Sequence, residues 1–170
     1  MTDPSTAPDL PRAVLDTSVL VSGDRHRLWA AAKYGFHEAV WSTFIVAELA
    51  PVRVELGIAR GVARTVYRQR INNLVHQLSL GLRVADYQTI DVTGALSDPD
   101  DEPILAAAKA AHAAYIVSHN TKDYPPSGTI MGVRYLSPED FIVLLDALYP
   151  GQNVRLRADS APEDPDVRLP

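Results

Sequence analysis

Apolar positions along the chain come in short blocks separated by polar and proline-bearing breaks, and the blocks alternate between two periods. Ala13 to Leu15 is a brief apolar run bounded by Pro11 and by Asp16-Thr17-Ser18, the pattern of a buried strand. Further strands are expected at Glu38 to Trp41, at Thr89 to Val92, at Tyr115 to Ser118 and at Val133 to Leu136. Helical spacing fills the intervals. Arg25 to Phe36 places Leu28, Trp29 and Ala32 on one face, with Gly35 as a stop. Ser42 is placed to cap a helix through Phe44, Ile45, Ala47, Glu48 and Leu49, which can run to Leu56 with Pro51 kinking or splitting it. From Ile58 to Leu82, the positions Val62, Val66, Ile71, Leu74, Val75, Leu78 and Leu82 recur at helical spacing. Asp98-Pro99-Asp100-Asp101-Glu102-Pro103 opens an alanine-rich helix, Ile104 to Ala114, and Ser137-Pro138-Glu139-Asp140 opens a closing helix, Phe141 to Tyr149.

Strands alternating with helices imply a sheet covered on both faces. The expected fold is a three-layer α/β/α sandwich around a central, mainly parallel five-stranded sheet, occupying residues 12–150. Residues 1–11 are expected to form a flexible arm, and residues 151–170, rich in proline and charge, a disordered tail.

Composition narrows the chemistry. The 170 residues contain no cysteine, which excludes disulfides, thiol catalysis and cysteine-ligated zinc. No secretory signal or apolar run long enough for a bilayer is visible, so a cytoplasmic, non-membrane protein is expected. The net charge of −5 argues against a nucleic-acid partner until its distribution is considered. Arg53, Arg60, Arg64, Arg68, Arg70 and Arg83 lie in one stretch against a single acid, Glu55, whereas acids concentrate in Asp91 to Glu102 and in the tail. Arg60, Arg64 and Arg68 recur every fourth residue and share a helix face, which suits RNA phosphates or else is merely a solvated face.

The carboxylates fall at corresponding places. Asp16 ends the first strand, Glu48 lies one to two turns into the helix after the second, and Asp98, Asp100, Asp101 and Glu102 open the helix before the fourth. Asn120 and Asp123 follow the fourth strand. In a parallel sheet all these places share one edge, where chemistry gathers. Either Asp16 caps the following helix, or it belongs to a charged cluster. Such a cluster would be strongly self-repelling without a cation, and all-oxygen ligation favours Mg²⁺ or Mn²⁺ over zinc. A bound ion of this kind could support phosphodiester hydrolysis.

The runs Val14-Leu15-Asp16-Thr17-Ser18, Ala47-Glu48-Leu49, Asp98 to Ala108 and Ala114 to Tyr124 together resemble PIN-domain ribonucleases, including VapC-type toxins of bacterial toxin–antitoxin pairs. The resemblance spans about Arg12 to Tyr149. It implies an Mg²⁺- or Mn²⁺-dependent ribonuclease, with RNA as substrate, an antitoxin as partner and a homodimeric state. By this resemblance Asp16 matches the first acid and Glu48 the second, with Thr17 and Ser18 as supporting hydroxyl positions. The third acid is Glu102 by distance from the next strand and Asp101 by residue identity. At the fourth place, where the family often has Asp, this chain has Asn120, with Asp123 three residues on. His119 is read as a structural neighbour rather than a base. Two alternatives stand beside this reading. One is a non-catalytic or weakly active RNA-binding or scaffold protein of the same fold, which Asn120 favours. The other is a phosphoacceptor receiver domain, whose paired acids on the first strand are missing here.

Overall fold

Three consecutive apolar residues can be buried together only where both faces of a strand are covered, and Ala13, Val14 and Leu15 occupy such a place. The computed structural model of the protein describes residues 10–49, 81–120 and 128–160, together with Thr65, Asn72 and Leu78. Strand β1 (Arg12–Leu15) pairs in parallel with β2 (Glu38–Ser42) on one side and with β4 (Tyr115–Val117) on the other. Beyond them lie β3 (Leu82–Val84), parallel to β2, and β6 (Val133–Leu136), parallel to β4. A short strand β5 (Thr129–Ile130) closes the edge antiparallel to β6, so the order is β3-β2-β1-β4-β6-β5. The expected five strands are thus six. The extra one is held by a two-residue turn at Met131 and Gly132, whose φ values of 50° and 83° match the twist of a tight hairpin.

The helices named on the sequence stand with small shifts. A single turn that the pattern does not name, α1 (Thr17–Leu20), precedes them; they are α2 (Asp24–Lys33), α3 (helical over residues 43–49), α4 (Glu102–Ala110) and α5 (Pro138–Leu148). Ser42 Oγ accepts from Ile45 N at 3.4 Å, as a cap for α3 should, and Ser137 Oγ accepts from Asp140 N at 3.1 Å at the start of α5. The alanines of α4 let it lie close across β1, β2 and β4, with Ile104, Leu105, Ala106, Ala107 and Ala108 all buried. Helices α2 and α5 pack against each other and against the sheet. Of the helix expected from Ile58 to Leu82, Thr65, Asn72 and Leu78 are described and helical, and Leu78 is buried. The remainder of that helix, Pro51 and the arginines Arg60, Arg64 and Arg68 lie outside the described residues.

Two expectations are corrected. The third strand is Leu82–Val84, not Thr89 to Val92; Tyr87–Thr89 is instead a single 3₁₀ turn. Leu82 fits a helical period as well as a strand, so periodicity alone assigned it to the preceding helix. Pairing with β2 decides the matter, because Gly81 brings the chain close to its neighbour: a Cβ there would stand 2.6 Å from the carbonyl oxygen of Ala39. The disorder expected from Gly151 also fails for residues 151–160. Helix α6 (Val154–Asp159) packs on α2 and α5, with Val154 and Ala158 buried. Its local composition is polar, yet two apolar residues four apart on one face suffice to dock it. Residues 1–9 and 161–170 lie outside the described residues.

Candidate functional site

The strands deliver their ends to one edge, and the polar residues that follow them meet there. Asp16 N donates to Val117 O at 3.0 Å, which locks the first residue after β1 beside the last residue of β4. Asp16 occupies the N-cap position of α1, but its side chain makes no capping bond. Its carboxylate is taken instead by two hydroxyls: Ser18 Oγ donates to Oδ2 at 2.6 Å and Ser118 Oγ to the same oxygen at 2.7 Å. Both hydroxyls use Oδ2, so neither occupies Oδ1. Asp16 and Ser118 are almost wholly buried. Capping is therefore not what this aspartate does here.

Glu48 projects from α3 towards the same place. Thr17 Oγ1 donates to its Oε2 at 3.0 Å. Burial pushes the Glu48 carboxyl above its ordinary pKa; the Thr17 bond opposes that shift, and the charges of Asp16, Asp101 and Asp100 add to it. Glu48 thus feels the charges of Asp16, Asp100 and Asp101.

The two candidates for the third acid part company. Glu102 turns away, its Oε1 accepting from Gly94 N at 2.6 Å in the preceding loop. Asp98 is used locally too, its Oδ1 accepting from Asp100 N at 3.0 Å as the cap of the 3₁₀ turn Pro99–Asp101. Asp101, by contrast, stands at the N-cap position of α4 without a side-chain capping bond, and its charge reaches both Glu48 and Tyr135. Asp100 also acts on Glu48, whereas Asp101 acts on both Glu48 and Tyr135, the two groups on which Asp16 acts.

Ser118 and Tyr135 are the residues that sequence reasoning passed over. Ser118 follows an apolar strand just as Asp16 follows β1, and that parallel was the available signal. Its hydroxyl also accepts from Asn120 N at 3.0 Å, tying the loop after β4 to the Asp16 carboxylate. Tyr135 lies on β6 opposite Ile116; burial first, then the charges of Asp101 and Asp16, hold its phenol protonated well beyond the ordinary range. Nothing in an alternating strand marks such a tyrosine as belonging to the edge. His119 sits at the rim, its backbone N donating to Ser18 Oγ at 3.1 Å and its Nε2 lying 3.1 Å from Ser22 Oγ and 3.3 Å from Asp24 Oδ2. It joins the loop after β4 to the start of α2, in keeping with a structural neighbour. Asp123 lies outside the described residues.

Among the described residues, no three Asp, Glu or His side chains are already gathered closely enough to hold a metal ion. The fit to such an ion rests on donor chemistry. The site offers hard carboxylate and hydroxyl oxygens, without sulfur, and the charges of Asp16, Asp101 and Asp100 all oppose ionisation of Glu48. That set suits an oxygen-preferring divalent cation.

A family model described as PIN domain matches residues 12–122, which carry β1 to β4, Asp16, Glu48, Asp101 and Asn120. No curated protein and no solved structure matches the chain. The match covers well over half the sequence, and the chain belongs to the PIN-domain family, whose members are generally nucleases.

Proposed function

We propose that the protein is a divalent-metal-dependent endoribonuclease that hydrolyses RNA phosphodiester bonds. The observation that carries this reading is the state of Asp16: a buried aspartate at a cap position caps nothing, is gripped by two hydroxyls, and acts together with Asp101 on the carboxyl of Glu48. Asp16, Glu48 and Asp101 would hold Mg²⁺ or Mn²⁺, with Asp123 as a further ligand and Glu102 serving its loop. When bound, such an ion lowers the pKa of a coordinated water and stabilises charge on the phosphate oxygens.

The chain's own residues prepare that site. Ser18 and Ser118 fix the orientation of the Asp16 carboxylate, and Thr17 fixes that of Glu48. The bond from the Asn120 backbone N to Ser118 Oγ ties the residue to the same edge, at a place where its side chain is neutral rather than acidic. Arg60, Arg64 and Arg68 are proposed to attract RNA phosphates that the carboxylates repel. The resemblance to VapC-type toxins supports a role as the toxin of a toxin–antitoxin pair, with a cognate antitoxin, a homodimeric state and a cytoplasmic setting. No helix among the described residues is long and apolar enough to cross a membrane.

Asn120 favours one second reading, an RNA-binding or scaffold protein with a weakened site. Replacing Asp16 with Asn separates the two. RNA cleavage with Mg²⁺ or Mn²⁺ should fall at least about a hundredfold, the scale for losing one electrostatic group at a reacting centre, while the thermal transition remains cooperative. Absence of cleavage by the wild type with either ion would favour the second reading, and cleavage that ignores both the ion and this substitution would remove the metal-dependent mechanism.

A further inference from the structure

Arg83 is the one arginine of the basic stretch Arg53 to Arg83 whose side chain is described, and its place on an edge strand near the acids gives it a distinct setting. It is exposed, and it lies on β3 in register with Trp41 of β2, one position before the strand ends. Its guanidinium stands over the Trp41 indole, 5.9 Å from the ring centroid. The indole is itself held: Trp41 Nε1 donates to Gly81 O at 3.4 Å, and a Cβ at Gly81 would come within 3.4 Å of Trp41 Cδ1. A side chain at position 81 would crowd both the β2 backbone and this ring. Gly81, Trp41 and Arg83 form a small fixed platform with the cation on top.

Arg157 also stands over an aromatic ring, 5.5 Å from the Tyr34 centroid, but it lies on α6, which packs against α2. Four further arginines are paired or buried. Arg12 pairs with Glu38, Arg27 with Asp24, Glu139 and Asp159, and Arg155 with Glu139. Arg25 is buried, with Nη1 donating to Leu20 O at 3.0 Å. Arg83 has no carboxylate partner among the described residues; the indole face is its contact. A guanidinium stacked on an aromatic ring keeps its N–H edge available, and that planar fork matches phosphate oxygens.

The platform also has a definite place relative to the acids. β3 is two strands from β1, a lateral separation of about 10 Å at the usual strand spacing. The pairing of Trp41 with Arg83 and of Ser42 with Val84 puts Arg83 within one residue of the strand-end row that carries Asp16.

We infer that Arg83, seated on Trp41, is a phosphate-anchoring residue that receives the backbone of single-stranded RNA on the β3 side of the acidic edge. The inference rests on the nuclease reading above and adds a direction, with the RNA strand running across the sheet edge from β3 towards β1. An ion at the acids and a cation at Arg83 would then contact different phosphates of one strand.

Binding of a fluorescent single-stranded RNA, measured against salt in the cleavage-suppressing Asp16→Asn background, tests this. Arg83→Gln should weaken binding and flatten the dependence of log K on log salt by about 0.7, the single-strand value for one neutralised phosphate. Arg83→Lys keeps the charge and should retain the slope, with weaker binding because the planar stack is lost. An unchanged slope in Arg83→Gln overturns the assignment while leaving metal-dependent cleavage by the wild type intact. A slope lost equally in Arg83→Lys also overturns it, since charge would not be the cause. If the Asp16→Asn protein does not bind RNA even at low salt, both this inference and the ribonuclease reading fall.

Discussion

Around Arg27, three carboxylates from three helices meet a cation that the chain supplies. Arg27 Nε donates to Asp159 Oδ1 at 2.6 Å, Nη1 and Nη2 each reach Glu139 Oε2 at 3.1 Å, and Asp24 Oδ1 lies 3.4 Å away. Arg155 adds a second cation on Glu139. At the strand ends, Asp16 and Glu48 are met by hydroxyls from Ser18, Ser118 and Thr17, and by the charges of other acids. Among the described residues, neither Asp16 nor Glu48 forms an ion pair with a lysine or arginine. Hydroxyl bonds orient a carboxylate without cancelling its charge. The first cluster gives each of its carboxylates a cationic partner on folding and joins α2, α5 and α6. The second is held in position with its repulsion unrelieved, which is the condition of a site that takes up a cation from outside.

The largest expected effect that sharpens this contrast is at Ser118. Its hydroxyl does not touch an ion directly but aims Asp16, and losing such a support costs metal affinity by about 10–100-fold. Ser118→Ala should therefore require that much more Mg²⁺ or Mn²⁺ to raise the melting temperature, since an ion bound only to the native state stabilises it by mass action. An unaltered metal titration would mean that the hydroxyl grip is incidental.

The Arg27 cluster should behave in the opposite manner. Arg27→Ala leaves three acids facing one another and should lower stability by about 1–2 kcal/mol in denaturant titrations. The metal midpoint should be unmoved, because that cluster is already matched. A shift in metal affinity comparable to that of Ser118→Ala would show that the two regions are one electrostatic unit, coupled through Asp24 and His119.

The smallest effect concerns the repulsion itself. The folded-state pKa of Glu48 is raised, so the native state holds its proton more tightly than the unfolded chain does. Stability of the metal-free protein therefore declines as pH rises from the ordinary Glu value through the raised one. Glu48→Gln preserves an acceptor for Thr17 and removes the charge. It should be more stable than the wild type at pH 7.5 without divalent ions, with the difference vanishing towards pH 4. His37 does not disturb this comparison. Burial lowers its pKa to about 4, so its contribution is full above its ordinary 6.5 and is lost as pH falls through that interval, equally in both proteins. A Gln variant that is less stable at pH 7.5 would assign Glu48 a purely structural role.

The strand at Ala13 to Leu15, the caps at Ser42 and Ser137 and the alanine-rich helix that follows Asp98 were legible because each is governed by neighbours in the chain. An apolar run must be covered, a hydroxyl before a helix finds a free N–H, and small side chains permit close packing. Asp16 and Glu48 were legible as candidates because they follow strands that a parallel sheet aligns. The engagement of Glu102 by the Gly94 loop was not, since adjacent residues at a helix start differ by about 100° in direction and only the tertiary structure brings that loop to one of them. Nor was the grip of Ser118 on Asp16, which joins residues far apart in sequence through the pairing of β1 with β4. β3 at Leu82–Val84 and the docked helix α6 show the same division. Local pattern proposed a longer helix and a loose tail, whereas the edge of β2 and the surface of α2 supplied the pairing and burial that settled them. The sequence by itself determined the elements and the kinds of group they carry; tertiary structure alone decided which groups face one another, because that depends on strand register and helix direction rather than on neighbouring residues.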